Sequence, residues 1–347
     1  MKKLASQPIS IFLAANDAYT QHLCAVMASI LANSKAYFAF YILNQHLSEI
    51  SKRNICALRD IRDFDIEFMS VDPRVFGDFE VAFERLSIEI CYRLLIPQLL
   101  PNASRAIYLD CDVVVSGDLR DLWDVDLGDN YCAGVMEEAR HDKATYKRLF
   151  GENPYFNSGV LLLNLDAIRR DFQLTDFLQI EHEHRAEMEY HDQDVLNIAF
   201  TGHALPLDAR WNVTSGLIDK LISRKQDNIA DNVGIILEPH VIHFAGPIKP
   251  WKFPAGICAP YHTALYFHYL RMTPYAGLEA RMRALFRPLG VFVTYWWKHP
   301  FFFLRKKFYR QMYYRKITNG VEQEAGAGSG GVPPSGKAED FAHLHST

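Results

Sequence analysis

Residues 108–115 read Tyr108-Leu109-Asp110-Cys111-Asp112-Val113-Val114-Val115, an apolar run that two acids interrupt. The apolar residues on either side are typical of short buried strands. Ionised carboxylates are costly at such a place unless a cation compensates their charge. In extended backbone, side chains i and i+2 share one face, so we expect Asp110 and Asp112 to converge while Cys111 points away.

Converging carboxylates predict a site for a divalent cation. Mg²⁺ and Mn²⁺ are hard ions that prefer oxygen ligands, which two carboxylates and the oxygens of a phosphate can supply. The alternative is a surface turn with two solvated acids. The apolar residues on both sides of the pair favour the cation site.

Upstream of this segment, apolar runs of strand character alternate with segments of helical period. We predict strands at residues 9–15, 37–43 and 64–71, and helices at residues 18–32 and 48–60. Ser48 is the predicted N-cap of the second helix. The β-α-β-α-β order predicts half of a wound sheet within a three-layer α/β domain.

Downstream, the same alternation continues to about residue 265, where we expect the folded body to end. We predict a helix at residues 88–100, in which Pro97 should distort or end the last turn. The remaining predicted elements are strands at residues 105–109, 113–115, 131–136, 159–165 and 241–244 and a helix at residues 192–200.

The composition is that of a folded protein with a large core. The chain has 347 residues, and its 49% hydrophobic content is ample for such a core. Its six cysteines stand singly, without the pairs or clusters of a zinc site or disulfide framework, which favours a reducing cytoplasmic location. No apolar run reaches the length of a membrane-spanning helix, so any membrane contact should be peripheral.

Charge is distributed unevenly along the chain. The net charge is −4, yet residues 281–316 contain ten lysines or arginines, twelve aromatic residues and no acid. Basic and aromatic side chains together favour an anionic membrane surface, so we predict that residues 266–319 form a helical, membrane-associating segment. The alternative is a helical subdomain packed on the body.

The acidic remainder of the chain argues against nucleic-acid binding. The composition of residues 320–347 predicts a disordered tail.

Two further motifs place polar residues beside apolar elements. Asn157-Ser158-Gly159 precedes a strongly apolar run, and open α/β sheets bind ligands at strand ends; an ordinary turn before a core strand would give the same pattern. Asp192, Gln193 and Asp194 begin a predicted helix. N-capping and the helix dipole would account for the two acids but not for Gln193.

His243 ends a short apolar run, and Gly246 and Lys249 follow it within six residues. A lone histidine at the end of a strand is usually structural. The combination with a flexible glycine and a lysine suits a metal ligand followed by groups that neutralise a diphosphate.

Taken in this order, the motifs resemble glycosyltransferase family 8, the retaining enzymes of the GT-A fold, and especially its bacterial lipopolysaccharide galactosyl- and glucosyltransferases. The resemblance covers residues 9–251. It rests on Leu-Ala-Ala-Asn-Asp-Ala-Tyr (13–19), Cys-Tyr-Arg-Leu-Leu (91–95), the acidic segment above, Leu-Trp-Asp-Val-Asp-Leu (122–127), Phe-Asn-Ser-Gly-Val-Leu-Leu-Leu-Asn-Leu (156–165), His-Asp-Gln-Asp-Val-Leu-Asn (191–197) and His-Phe-Ala-Gly-Pro-Ile-Lys-Pro-Trp (243–251). It implies a GT-A α/β/α sandwich with a mixed, mainly parallel sheet over residues 1–265.

The resemblance also implies roles for individual residues. Asp110, Asp112 and His243 would hold Mn²⁺ or Mg²⁺. Gln193 would lie beside the anomeric carbon of the donor sugar, with Asp192 as its catalytic neighbour. The residues expected to bind the donor are Ala14, Asn16, Tyr19, Arg93, Asp110, Asn157, Ser158, Gly246 and Lys249.

The sequence departs from the family pattern at two positions. Asn16 stands where relatives often have Asp, so it would have to accept the hydrogen bond of a uracil through its amide oxygen. Glu137 stands where relatives commonly have Asp, and its additional methylene could alter the preference for the sugar.

The implied function is metal-dependent transfer of galactose or glucose from a UDP-sugar to a glycan or glycolipid acceptor. The reaction would take place in the cytoplasm at the anionic inner-membrane surface, in lipopolysaccharide or other surface-glycan synthesis. Because the amide of Gln193 is a poor nucleophile, we favour substitution on one face of the sugar over a covalent intermediate. The alternatives are a sugar-phosphate nucleotidyltransferase, whose usual glycine-rich N-terminal loop is missing, and a non-catalytic nucleotide-sugar-binding protein.

Overall fold

The computed structural model describes residues 7–77, 79, 87–223, 234–252 and 262–278. It divides into two compact units: the first comprises Met1–Val213, Pro239–His243 and Tyr269–Ala276, and the second comprises Thr214–Glu238, Phe244–His268 and Gly277–Thr347. The predicted disordered tail and residues 279–319 of the predicted basic and aromatic segment lie outside the described residues. Among the helices that are described, none has the length and apolar character that crossing a bilayer requires.

Strands and helices alternate along most of the first unit. The strands are β1 (Ile9–Ala14), β2 (Phe38–Asn44), β3 (Asp65–Ser70), β4 (Arg105–Leu109), β5 (Val113–Val115), β6 (Cys132–Glu137), β7 (Tyr155–Asn164), β8 (Ala204–Pro206), β9 (Val213–Thr214) and β10 (Val241–His243). The α-helices are α1 (Thr20–Asn33), α2 (Glu49–Cys56), α3 (Ile96–Leu99), α4 (Leu119–Trp123), α5 (Lys143–Phe150), α6 (Leu165–Asp171), α7 (Leu174–His184), α8 (His191–Ala199), α9 (Ser215–Ser223) and α10 (Thr263–Leu270). The Ser48 side chain accepts a hydrogen bond from the Ser51 amide, which confirms the predicted N-cap of α2.

A seven-stranded sheet in the order β3-β2-β1-β4-β7-β6-β8 forms the centre of the first unit. The pairs β3-β2, β2-β1, β1-β4 and β6-β8 are parallel, whereas β7 runs antiparallel to both β4 and β6. Residues 106–109 of β4 are all buried, which requires other layers on both faces of the sheet. The predicted three-layer α/β fold with a mixed, mainly parallel sheet is confirmed.

The two acids of the 108–115 segment lie in a turn between two sheets. β4 belongs to the large sheet, whereas β5 belongs to a smaller sheet of order β5-β10-β9. The prediction of extended backbone through Asp110 and Asp112 was therefore wrong: the chain turns there in order to change sheets. The Cys111 thiol donates to the carbonyl oxygen of Ala14 at the end of β1 (3.0 Å).

The predicted helix at residues 88–100 is a 3₁₀-helix, Ile88–Leu95, followed by the single turn of α3. Pro97 lies in the first turn of α3, not at its end. A proline is tolerated there because the amides of a first helical turn have no partner within the helix. Pro97 therefore lies in the first turn of α3, and it does not distort the end of a longer helix.

The Asn197 side chain joins α8 to β7 through hydrogen bonds. Its Oδ1 atom accepts from the Phe156 amide (2.8 Å), and its Nδ2 atom donates to the Phe156 carbonyl oxygen (2.9 Å). The same Nδ2 atom donates to the carbonyl oxygen of Gln193 (2.9 Å). Together these three hydrogen bonds hold the first turn of α8 against the amino-terminal half of β7.

We expect Asn197→Ala to lower the free energy of unfolding by about 1–3 kcal/mol, because a buried polar group that loses its partner carries that cost. Denaturant unfolding measures the change. Asn54→Ala, which removes one half-buried hydrogen bond to the Tyr275 hydroxyl, is the control and should cost less. Equal losses in the two variants would show that Asn197 does not fasten α8.

Candidate active site

Asp110, Asp112 and His243 come together in the first unit. One ligand atom from each lies within 4.8 Å of the other two. The Nε2 atom of His243 is 3.1 Å from Asp112 Oδ1 and 3.7 Å from Asp110 Oδ2. The sequence separation is bridged by the antiparallel pairing of β10 with β5, which sets His243 opposite Val113 beside the acidic turn.

Hydrogen bonds behind His243 select its tautomer. Its Nδ1 atom lies 2.9 Å from Asn212 Oδ1, an atom that can only accept, so Nδ1 carries the proton. Asn212 is itself oriented by donating to Asn157 Oδ1 (2.8 Å). Nε2 is therefore the ring nitrogen that faces the two acids, and it is the atom through which His243 could coordinate a metal.

The chemistry of this cluster fits a divalent cation. Asp110 directs Oδ2, and Asp112 directs Oδ1, towards the imidazole. Two carboxylate oxygens and one imidazole nitrogen form a ligand set that suits Mn²⁺ and can accommodate Mg²⁺. The negative charge of the two acids supplies the electrostatic reason for a cation to bind.

Gly159 leaves the space that the cluster occupies. A Cβ atom at this position would lie 2.4 Å from His243 Cε1 and 2.7 Å from Asp110 Oδ2. The Gly159 carbonyl oxygen also accepts from the Asp110 amide (2.9 Å). Any side chain at position 159 would push the histidine and the acid apart.

Arg93 is the buried positive charge of the site, with 5% of its side chain exposed. Its Nη2 atom donates to Asp110 Oδ1 (2.8 Å), and its Nε atom lies 3.1 Å from Asp192 Oδ2. Its Nη1 atom donates to the carbonyl and hydroxyl oxygens of Ser158 (2.7 and 2.8 Å). Burial lowers the pKa of Arg93, but the combined opposing effect of its neighbours, chiefly Asp110 and Tyr108, is larger. The pKa of Arg93 therefore lies above its ordinary value.

The two acids of α8 have different surroundings. Burial raises the pKa of Asp192 to about 6, against the opposing charge of Arg93. Asp194 is fully buried, and its Oδ2 atom accepts from the amides of Glu189 and Tyr190 (2.7 and 2.8 Å). Asp194 thus satisfies backbone amides before the helix, as the capping alternative supposed, whereas Asp192 faces Arg93.

The amide of Gln193 is held from both ends. Its Oε1 atom accepts from the Ser158 amide (2.9 Å), and its Nε2 atom donates to Glu137 Oε1 and to the Tyr155 hydroxyl (both 2.9 Å). Glu137 Oε1 also accepts from Asn157 Nδ2 (3.1 Å). One carboxylate oxygen thus joins the two amide side chains.

Asn157 and Ser158 lie within β7, whereas the sequence predicted a strand that begins only at Gly159. Both side chains are buried and hydrogen-bonded, which lets polar residues continue the strand. Because β7 runs antiparallel to β4, with Val160 opposite Leu109, its polar amino-terminal half lies beside the acidic turn.

The other residues expected at the donor lie in two places. Asn16 caps the 3₁₀-turn Asp17–Tyr19, and its Oδ1 atom accepts from the Tyr19 amide (3.2 Å). Burial raises the pKa of Tyr19, and the negative charge of Asp112 adds to that rise. Gly246 (φ +85°) and Lys249, whose Nζ atom donates to the Phe244 carbonyl oxygen (2.7 Å), belong to the second unit.

Three residues of the site were not predicted to belong to it. Tyr155 and Tyr108 look like ordinary core aromatics in the sequence, and Asn212 lies in an irregular stretch far from any motif. Their roles depend on side-chain contacts between distant segments.

Comparisons with known proteins agree on one family. The model of glycosyl transferase family 8 matches residues 10–255. General stress protein A of Bacillus subtilis is 28% identical over 271 residues, which cover 75% of this chain and 92% of that protein. Lipopolysaccharide 1,2-glucosyltransferase of Escherichia coli is 25% identical over 232 residues, which cover 65% of this chain and 68% of that enzyme.

A solved structure with the same fold is the galactosyltransferase LgtC in complex with donor and acceptor sugar analogues. The two sequences are 28% identical, and the structures align with a TM-score of 0.67. The match covers 77% of this chain and 96% of the LgtC chain. The glycosyltransferase GlyE of Streptococcus pneumoniae, 21% identical with a TM-score of 0.59, shares the fold.

We expect Gly159→Ala to weaken Mn²⁺ binding by about 10-fold or more, the range seen when residues that orient metal ligands are changed. The added methyl group would displace His243 and Asp110. Isothermal titration with Mn²⁺ measures the affinity, and Gly216→Ala, where the nearest atom would be 3.8 Å away, is the control. Unchanged affinity in Gly159→Ala would mean that Mn²⁺ does not bind between these residues.

Proposed function

The chain belongs to glycosyltransferase family 8, and from that membership we propose that it transfers a hexose, galactose or glucose, from a UDP-sugar to a glycan or glycolipid acceptor. The observation that carries the proposal is the cluster of Asp110, Asp112 and His243, which Arg93 links to the first turn of α8. The galactosyltransferase LgtC, solved with donor and acceptor sugar analogues, and the lipopolysaccharide glucosyltransferase of Escherichia coli support a hexose donor and a surface-glycan acceptor.

We propose that Asp110, Asp112 and His243 hold Mn²⁺, with Mg²⁺ as the alternative ion. When bound there, the cation supplies positive charge that stabilises the departing nucleoside diphosphate. Arg93 keeps Asp110 oriented, because it binds Oδ1 and leaves Oδ2 directed towards His243. Gly246 and Lys249 are the proposed contacts of the diphosphate, with Lys249 adding a second positive charge.

Retention of the anomeric configuration is proposed to proceed on one face of the sugar. The bond between the anomeric carbon and the diphosphate oxygen breaks, and the acceptor oxygen forms a bond to the same face of that carbon. The acceptor proton passes to the leaving phosphate oxygen. The amide of Gln193 is neutral and a poor nucleophile, which favours this course over a glycosyl intermediate on Gln193.

Uracil is the proposed base of the donor, with Ala14, Asn16 and Tyr19 as the contacts of the uridine. One lone pair of Asn16 Oδ1 accepts from the Tyr19 amide, and a carbonyl oxygen has a second lone pair available. Asn157, Ser158 and Asp192 are the proposed contacts of the sugar. Ser158 contacts Arg93 and Gln193, and Asp192 contacts Arg93. Asn157 donates to the same oxygen of Glu137 as Gln193 does.

The test of the proposed function is a UDP-release assay with UDP-galactose, UDP-glucose and their N-acetylated analogues. We expect Mn²⁺-dependent release with one of the two hexose donors. Asp112→Asn should reduce release to background without changing the unfolding midpoint, because it removes a charge from the cation site. Asp63→Asn, at an acid whose side chain is 79% exposed, is the matched control.

Three results would contradict the proposal, each in a different way. Full turnover by Asp112→Asn would remove the metal role. Release of pyrophosphate from a nucleoside triphosphate and a sugar phosphate would indicate a nucleotidyltransferase. Tight binding of UDP-sugars without UDP release, with every acceptor tried, would indicate a binding protein.

We further propose that the chain acts in the cytoplasm and associates peripherally with the inner membrane through its basic and aromatic segment. Each basic group near an anionic surface contributes about 1 kcal/mol to binding. The full chain should therefore float with vesicles that contain phosphatidylglycerol, and should be released by high salt. Vesicles of phosphatidylcholine alone are the control. Binding to neither kind would contradict the membrane role, and equal binding to both would contradict attraction of the basic groups to an anionic surface.

A further inference from the structure

The amide of Gln193 leads into a hydrogen-bonded chain that extends away from the metal cluster. Glu137 and the Tyr155 hydroxyl each accept one N–H of Gln193, and the Ser158 amide donates to its oxygen. Both N–H groups of the amide are therefore used. This arrangement requires that the Tyr155 oxygen offer a lone pair, and not a proton, to Gln193.

Asp194 determines which way the Tyr155 hydroxyl points. The Tyr155 oxygen lies 2.5 Å from Asp194 Oδ1, and the tyrosine is buried. A carboxylate can only accept, so the single proton of the hydroxyl is directed to Asp194. The lone pairs of the hydroxyl are then left for the N–H of Gln193.

Asp194 is itself fixed in place and has no exposed surface. The amides of Glu189 and Tyr190 donate to its Oδ2 atom. The Nε2 atom of the buried His141 side chain lies 3.3 Å from the same oxygen. A carboxylate held in this way has one oxygen committed to the backbone and the other to Tyr155, so it acts on the site only through its neighbours.

We propose that Tyr155 and Asp194 are positioning residues that hold the Gln193 amide in a single orientation beside the transferred sugar. The inference rests on the proposed function, in which Gln193 lies next to the anomeric carbon. Without the hydroxyl of Tyr155, one N–H of Gln193 loses its acceptor and the amide gains freedom to rotate. The expected consequence is a slower chemical step with little change in donor binding.

A double-mutant cycle tests this coupling. We expect Tyr155→Phe to lower kcat by about 10- to 100-fold, the cost of a small misplacement of a group at the reaction centre, with the KM for the donor changed less than about 3-fold. In the Gln193→Ala background, Tyr155→Phe should cause no further loss, because the amide that it positions is gone. Asp194→Asn should lower kcat similarly and should not add to Tyr155→Phe.

Tyr146→Phe is the matched control for loss of a tyrosine hydroxyl. Its hydroxyl donates to the Asn153 carbonyl oxygen (2.5 Å), and its ring packs on Phe150, which also packs on Tyr155. We expect its kcat to remain within about 2-fold of the wild type, since it has no contact with Gln193.

Three outcomes would overturn the inference, and they are distinguishable. If the effects of Tyr155→Phe and Gln193→Ala on kcat multiply, the hydroxyl does not act through the amide, although the proposed function stands. If the wild-type chain transfers no sugar from any donor, the proposed function fails and the positioning role fails with it. A rise in KM with unchanged kcat would also count against a positioning role.

Discussion

Repulsion between two carboxylates in one turn is the constraint on which the rest of the site depends. Asp110 and Asp112 lie where the chain passes from the large sheet to the small one, and His243 is brought to them by strand pairing. The buried Arg93 partly balances this negative charge, because its Nη2 atom donates to Oδ1 of Asp110. The oxygens that face His243 remain directed to the place where a cation would complete the neutralisation.

The same arginine connects the acidic turn with the residues beside Gln193. Arg93 contacts Asp110, Asp192 and Ser158, which come from the turn after β4, from α8 and from β7. Asn157 forms a second connection, because it is hydrogen-bonded to Asn212 behind His243 and to Glu137 beside Gln193. Two sets of hydrogen-bonded side chains therefore connect the cluster of Asp110, Asp112 and His243 with the Gln193 amide.

Periodicity was sufficient to predict most of the fold, because buried strands and amphipathic helices leave patterns of two and of about 3.6 residues. Local pattern did not reveal the change of sheet at Asp110 or the early start of β7 at Tyr155, since both depend on partners distant in sequence. For the site, the motifs pointed to Asp110, Asp112, His243 and Gln193. The roles of Asn212, Tyr155 and Gly159 could not be predicted, because a hydrogen bond to a distant residue, or a missing Cβ, leaves no periodic signal.

Locating the ion would test directly whether Asp110, Asp112 and His243 bind a divalent cation. Crystals grown with Mn²⁺ and UDP, and measured at the manganese absorption edge, would locate it by anomalous scattering. We expect one strong peak bonded to side-chain atoms of Asp110, Asp112 and His243. A peak bound elsewhere, or a UDP complex with no peak between these three residues, would contradict it.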